Sequence, residues 1–175
     1  MKVSVIGAGL AGCEAAFQLA EQGISVDLYE MKPQKYSKAH SYSGFAELVC
    51  SNSLKAARVE SAAGLLKEEM RMLGSLVLES AEKCAVAAGG ALAVDREKFS
   101  DYITNKIKSH KNITVITGEV EKIPEGYCVI ATGPLTSDAL ANNIKEMLHS
   151  DGLSFFDAAA PIIATSSIDM SVAFC

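Results

Sequence analysis

Met1-Lys2-Val3-Ser4-Val5-Ile6-Gly7-Ala8-Gly9-Leu10-Ala11-Gly12 opens the chain, and Asp27-Leu28-Tyr29-Glu30 closes the unit it begins. The apolar run predicts a strand, G-x-G-x-x-G a tight turn, and the Ala-rich stretch to about Gln22 a helix that Gly23 breaks. A second strand then ends in an acid eighteen positions after Gly12. Gly7 permits the turn, and Gly9 lets backbone N–H groups approach a pyrophosphate at the positive end of the helix. Gly12 lets helix and strand pack closely. Ala8, Leu10 and Ala11 complete the turn. Glu30 is placed to accept from a ribose hydroxyl, and its charge would repel a 2′-phosphate. The unit therefore reads as a dinucleotide site for FAD or NAD rather than NADP.

The same residues imitate a lipoprotein signal ending at Cys13, but two glycines interrupt a short apolar run behind a single Lys. At 175 residues, 49% of them hydrophobic, the chain is long enough for one α/β domain with both sheet faces covered. No run reaches the roughly 18 apolar residues of a membrane span, so no membrane contact is expected. The five cysteines are scattered and odd in number, against a disulfide framework or zinc site and for a cytoplasmic setting. The three histidines form no metal pattern. A net charge of −5 makes the whole chain no magnet for nucleic acid, yet Lys32, Lys35, Lys38, Lys55 and Arg58 face only one acid, Glu47, between residues 31 and 58.

Residues 32–57 lack both helical and strand periodicity and predict a long ordered loop with an apolar centre at residues 45–50. Helical spacing follows from 59 to 84, with Leu66, Met70, Leu73 and Val77 as its core stripe and Gly74 as a break. A turn at residues 87–90 leads into a strand at 91–94, and Asp95 caps a helix that buries Phe99, Ile103 and Ile107. Strands are expected at 113–117 and 119–123, then a buried strand at 127–130 ending in Ala131-Thr132-Gly133. Small residues at a strand's carboxyl end let a cofactor approach. Thr136 or Ser137 caps a helix bearing Leu140, Ile144 and Leu148, and a further apolar segment runs from Phe155 to Ile163.

The first unit together with Val129-Ile130-Ala131-Thr132-Gly133 resembles the two-dinucleotide-binding flavoproteins, whose Rossmann-like domain holds FAD. Leu28-Tyr29-Glu30-Met31-Lys32-Pro33, the block from Gly44 through Cys50 to Leu54, Gly64-Leu65-Leu66-Lys67-Glu68-Glu69-Met70, the stretch from Gly89 to Arg96, and Ala131 to Ser137 narrow the likeness. In this order they resemble the folate- and FAD-dependent tRNA (uracil-5-)-methyltransferases, up to about Ile163. The flavoproteins that build carboxymethylaminomethyl-uridine share the first turn but not the pattern around Cys50.

The resemblance implies an FAD-binding domain over residues 1–175, its loop at 32–57 carrying Cys50. It also implies transfer of a one-carbon unit from methylenetetrahydrofolate to C5 of a T-loop uridine in tRNA, with NAD(P)H recharging the flavin. Uracil C5 is a poor nucleophile until a thiolate adds at C6. Cys50 lies where that family keeps a functional cysteine, and two roles stay open for it, nucleophile and proton acceptor. Cys13 and Cys128 are expected in the core. The family continues with a second functional cysteine, the rest of the FAD domain and a nicotinamide-binding insertion, so the chain is expected to be an N-terminal piece. A non-catalytic FAD-binding fragment and another flavin-dependent oxidoreductase are the alternatives.

Overall fold

A computed structural model describes residues 1–149 and residue 169. The expected apolar segment 155–163 lies outside the described residues. The chain folds as a Rossmann-like α/β unit around four parallel strands in the order β6-β2-β1-β7, where β1 is Lys2–Ile6, β2 Ser25–Glu30, β6 Ile113–Thr117 and β7 Tyr127–Ile130. In register Val5 stands beside Leu28 and Val129, so the two central strands carry apolar side chains to both neighbours. Helix α1, Leu10–Glu21, crosses from β1 to β2 and buries Gly12, Cys13, Ala16 and Ala20. Small residues there let the helix lie close to the sheet, and Gly23, at φ +77°, turns the chain back.

A second layer enters between β2 and β6. It comprises β3 (Ser53–Ala56), α2 (Ala62–Met72), α3 (Leu76–Lys83), β4 (Ala85–Val86), β5 (Ala91–Val94) and α4 (Arg96–Ser109). The three strands form an antiparallel sheet in the order β3-β5-β4. Helix α4 begins as expected, Asp95 accepting from the Lys98 amide at 3.1 Å, and buries Phe99, Ile103 and Ile107 into one core with Val5, Leu28 and Leu76. After β7 a 3-10 turn, Gly133–Leu135, precedes α5, Asp138–Leu148, capped by Ser137.

Four expectations change. The segment 119–123 is not a strand: β6 is the edge of the parallel sheet, Gly118 donates to the Glu30 carbonyl at the end of β2, and the Ile123 amide donates to Asn143 of α5 instead of to a neighbouring strand. β7 is not buried: it is the opposite edge, and Tyr127, Val129 and Ile130 are exposed. The last residues of the expected 32–57 loop form β3, a pairing with β5 that local sequence does not encode. Finally, the stripe Leu66, Met70, Leu73 and Val77 meets the core only at Val77, which lies on α3 and packs against the buried cluster; Leu66 and Leu73 are 56% and 78% exposed, and α2 turns Gly64 and Lys67 inward instead. Gly64 has room for no side chain against the Arg58 carbonyl, and the Lys67 ammonium donates to the carbonyls of Ala56 and Ala63, both at 3.1 Å.

Candidate dinucleotide site

The carboxyl ends of β1 and β7, the start of α1 and the segment after β2 enclose a cavity of about 350 Å³. Gly7 has φ +96°, and a Cβ there would stand 2.8 Å from the carbonyl oxygen of Ala131. The turn is thus required both by backbone conformation and by the arrival of β7 against it. Its amide donates to the Tyr29 carbonyl at 2.8 Å, and the Ala131 amide to Ile6 at 2.8 Å, tying three strand ends together. Gly12 leaves no space for a Cβ over the Gly7 carbonyl, whereas nothing lies within 4 Å of a Cβ at Gly9. One glycine is demanded by the fold, and the other faces open space, where the approach of a ligand to the backbone would need room.

The helix start carries the same sign. Ser61, Ser75, Asp95 and Ser137 cap α2, α3, α4 and α5 with their own side chains, but α1 begins at Gly9 with no side-chain cap. Its first amides stay available to an anion, at the positive end of the helix dipole. Glu30 is 7% exposed, accepting from the Ala8 amide at 2.8 Å through Oε2 and from the Lys32 amide at 2.9 Å through Oε1. Each carboxylate oxygen retains a lone pair for a hydroxyl donor. These groups fit a pyrophosphate and ribose.

Of the residues expected to bind a dinucleotide, Gly7, Ala8, Gly9, Leu10, Ala11, Glu30, Ala131, Thr132 and Gly133 line this cavity, while Gly12 is buried beneath it. Cys50 is exposed and lines the same cavity. Of the four described cysteines, all free thiols, it alone does so. Cys13 is buried and donates to the Ala8 carbonyl at 3.3 Å, and burial together with the Glu30 charge pushes its thiol pKa far up. Burial raises Cys128 as well, and burial with the Asp95 charge raises Cys84. Proton loss is therefore disfavoured at all three.

The sequence reading counted the charges of the stretch that carries Cys50 but not their contacts. The Lys32 ammonium is buried against the carbonyls of Tyr42 and Gly44 and pairs with Glu47 at 3.4 Å. Lys35 pairs with Glu119 at 2.6 Å. Counted in sequence as free basic charge, both are engaged. Ser37 and His40, also at the cavity, share a hydrogen bond of 2.6 Å. Only an acid-to-lysine spacing in the 30–47 stretch hinted at these contacts, and spacing in a loop fixes no geometry.

A family model described as Glucose inhibited division protein A matches residues 2–175. The chain belongs to this family. Within it, the chain is 62% identical over 168 residues to the methylenetetrahydrofolate–tRNA-(uracil-5-)-methyltransferase TrmFO of Ligilactobacillus salivarius, covering 96% of this chain and 38% of that protein. The proteins of the same name from Listeria innocua and Staphylococcus saprophyticus are 60% and 58% identical, with 96% and 97% of this chain and 39% of each relative covered. The chain thus spans about two fifths of the length of these relatives. Among solved structures, a PqsL variant from P. aeruginosa superposes with a TM-score of 0.50 at 14% identity, covering 87% of this chain and 47% of that one. NikD, an unusual amino acid oxidase, gives 0.50 at 15%, with 83% and 53% covered. These two likenesses show the fold and nothing finer.

Proposed function

We propose that this chain is the FAD-binding part of a tRNA (uracil-5-)-methyltransferase that takes its one-carbon unit from methylenetetrahydrofolate. The observation that carries the reading is the placement of Cys50 on the cavity formed by the Gly7–Gly12 turn and Glu30, in a chain about 60% identical to proteins named for that activity. The amides at the start of α1 hold the pyrophosphate, and Glu30 accepts from the ribose. Bound FAD, recharged by NAD(P)H, would supply the reducing equivalents that convert a methylene unit to methyl. Cys50 brings a thiol to the rim, where its thiolate either adds to C6 of the uracil ring or takes the proton lost from C5. Both roles need access to solvent and to the cavity, which the exposed Cys50 has.

The tRNA phosphates are assigned to Lys38, Lys55 and Arg58. All three are exposed, and none joins an ion pair among the described residues. Lys32 and Lys35, in the same basic stretch, pair with Glu47 and Glu119. No helix among the described residues is long and apolar enough to cross a membrane. The reading places the protein in the cytoplasm with its tRNA.

The test takes two steps. The purified chain should turn yellow on adding FAD and keep the visible flavin spectrum through gel filtration; a chain that stays colourless ends the flavin reading. Labelled methylenetetrahydrofolate and undermodified tRNA, with the remaining length of the relatives supplied in trans, should then yield labelled uridine. Cys50→Ala should abolish the label while FAD stays bound. Flavin binding with no transfer under any of these conditions would leave a non-catalytic FAD-binding module.

A further inference from the structure

Lys32 sits between two carboxylates that belong to different parts of the site. Its side chain is 5% exposed. The backbone amide donates to Glu30 Oε1 at 2.9 Å, on the dinucleotide side. The ammonium donates to the carbonyls of Tyr42 at 3.0 Å and Gly44 at 2.5 Å and meets Glu47 Oε2 at 3.4 Å. An ammonium has three donors, and all three are used on the segment 41–50. Glu47 in turn accepts through Oε1 from the amides of Ser41 at 2.9 Å and Tyr42 at 3.0 Å. The Ala46 amide donates to the Ala8 carbonyl at 2.8 Å, so the segment also touches the glycine turn directly. Three residues after Glu47 comes Cys50.

We infer that Lys32 is a positioning residue that couples occupancy of the dinucleotide site to the order of the strap 41–50, and through it to the placement of Cys50. The inference rests on the reading of Cys50 and FAD given above. A ribose held by Glu30 fixes that carboxylate, the carboxylate fixes the Lys32 backbone, and the ammonium fixes the strap. Coupling is reciprocal: a strap already ordered by Lys32 favours the ligand by the same factor. Removing the ammonium takes the Lys32 donor from two carbonyls and from Glu47 Oε2 in a largely buried place, while Glu47 Oε1 keeps the Ser41 and Tyr42 amides, and the strap loosens.

Amide hydrogen exchange of the peptide 41–50, with and without FAD, reads this directly. In the unmodified chain FAD slows exchange there. In Lys32→Met, exchange without ligand is faster by about tenfold, FAD no longer slows it, and FAD affinity falls by about fivefold or more. Lys32→Arg, which keeps charge and donors, recovers most of the protection and of the response to FAD. A folded Lys32→Met whose peptide 41–50 exchanges and responds to FAD as the unmodified chain does would overturn the inference. So would loosening that leaves the FAD response intact, because Lys32 would then serve the fold alone. If Lys32→Met does not fold, Glu47→Gln replaces it. The amide oxygen still accepts from Ser41 and Tyr42 while the charge opposite Lys32 is gone, and exchange unchanged in that variant would overturn the inference equally. Should the unmodified chain bind no FAD, the flavin reading fails. The ligand-free comparison then decides alone, and equal exchange in Lys32→Met and the unmodified chain ends the role of Lys32 in ordering the strap.

Discussion

The glycine turn at residues 7–12 and the strap at 41–50 face one cavity, yet different forces hold them. The turn is fixed by sterics and by backbone hydrogen bonds to neighbouring strands, with Gly12 packed under the Gly7 carbonyl and Gly7 under Ala131. The strap has no regular structure. It is fixed largely by side chains: Glu47 from within the segment, Lys32 from just after β2, Thr104 Oγ1 accepting from the Phe45 amide at 2.8 Å, and Ser100 Oγ donating to the Phe45 carbonyl at 2.5 Å. The turn is held by backbone packed on backbone, and the segment that carries the exposed Cys50 is tied mainly by side-chain contacts.

The largest effect that would test this contrast is Gly12→Ala. The new Cβ meets a backbone oxygen, which has no rotamer to escape into, so stability falls by about 3 kcal/mol or more. Thermal melting followed by circular dichroism shows it, and a wild-type melting temperature would mean that the turn has slack. Gly44→Ala in the strap comes next. Its Cβ meets the Ser100 hydroxyl and stands 2.7 Å from the Tyr42 ring, and side chains can give way, so the cost is about 1–2 kcal/mol. A larger loss at Gly44 than at Gly12 would reverse the comparison. Gly9→Ala separates fold from ligand within the cradle itself. With nothing within 4 Å of the Cβ, stability stays within about 0.5 kcal/mol of the parent. FAD affinity, read by flavin fluorescence, falls about tenfold or more because the methyl occupies the approach to the pyrophosphate.

These two regions were unequally legible in the sequence. The strand, turn, helix and acid from Val3 to Glu30 lie where the motif puts them, because each is a local demand: three glycines, an alternating apolar run, one carboxylate. Asp95 and Phe99-Ile103-Ile107 were legible for the same reason, cap and period being local. Cys50 was singled out through family likeness rather than through chemistry visible in its neighbours, and what carries it was hidden. Lys32 read as free charge because burial is a property of the assembled chain, not of the loop. The stripe on α2 failed in the opposite sense. Its apolar spacing is genuine, but tertiary contacts turned Lys67 inward, its ammonium donating to the Ala56 carbonyl of β3, and left Leu66 exposed.

The smallest effect tests whether acid releases the strap before the cradle. Helix α4, which holds Phe45 through Ser100 and Thr104, is tied to α3 by Glu79. That carboxylate accepts from Tyr102 Oη at 2.6 Å and from Lys83 at 3.1 Å and pairs with Lys106 at 3.3 Å. The Tyr102 hydroxyl, with Lys83 and Lys106, outweighs burial and lowers Glu79 from the ordinary 4.5 to about 2. In Glu47, burial pushes upward but the Ser41 and Tyr42 amides and Lys32 prevail, so it too is lowered. A carboxylate whose pKa is lower in the folded than in the unfolded state adds stability above its unfolded value. That stability drains away as pH falls through the folded value. The window therefore runs from about pH 4.5 down to about 2 for Glu79. With its side chain 36% exposed, the tie is worth less than about 1 kcal/mol. The Gly7–Tyr29 and Ala131–Ile6 bonds of the cradle join backbone groups that do not titrate. Exchange corrected for its intrinsic pH dependence should quicken in peptide 41–50 before it quickens in residues 2–12, and Glu79→Gln should make that decline shallower. Simultaneous loosening of both peptides would mean that strap and cradle open as one unit, and the distinction between them would hold only for ligand binding.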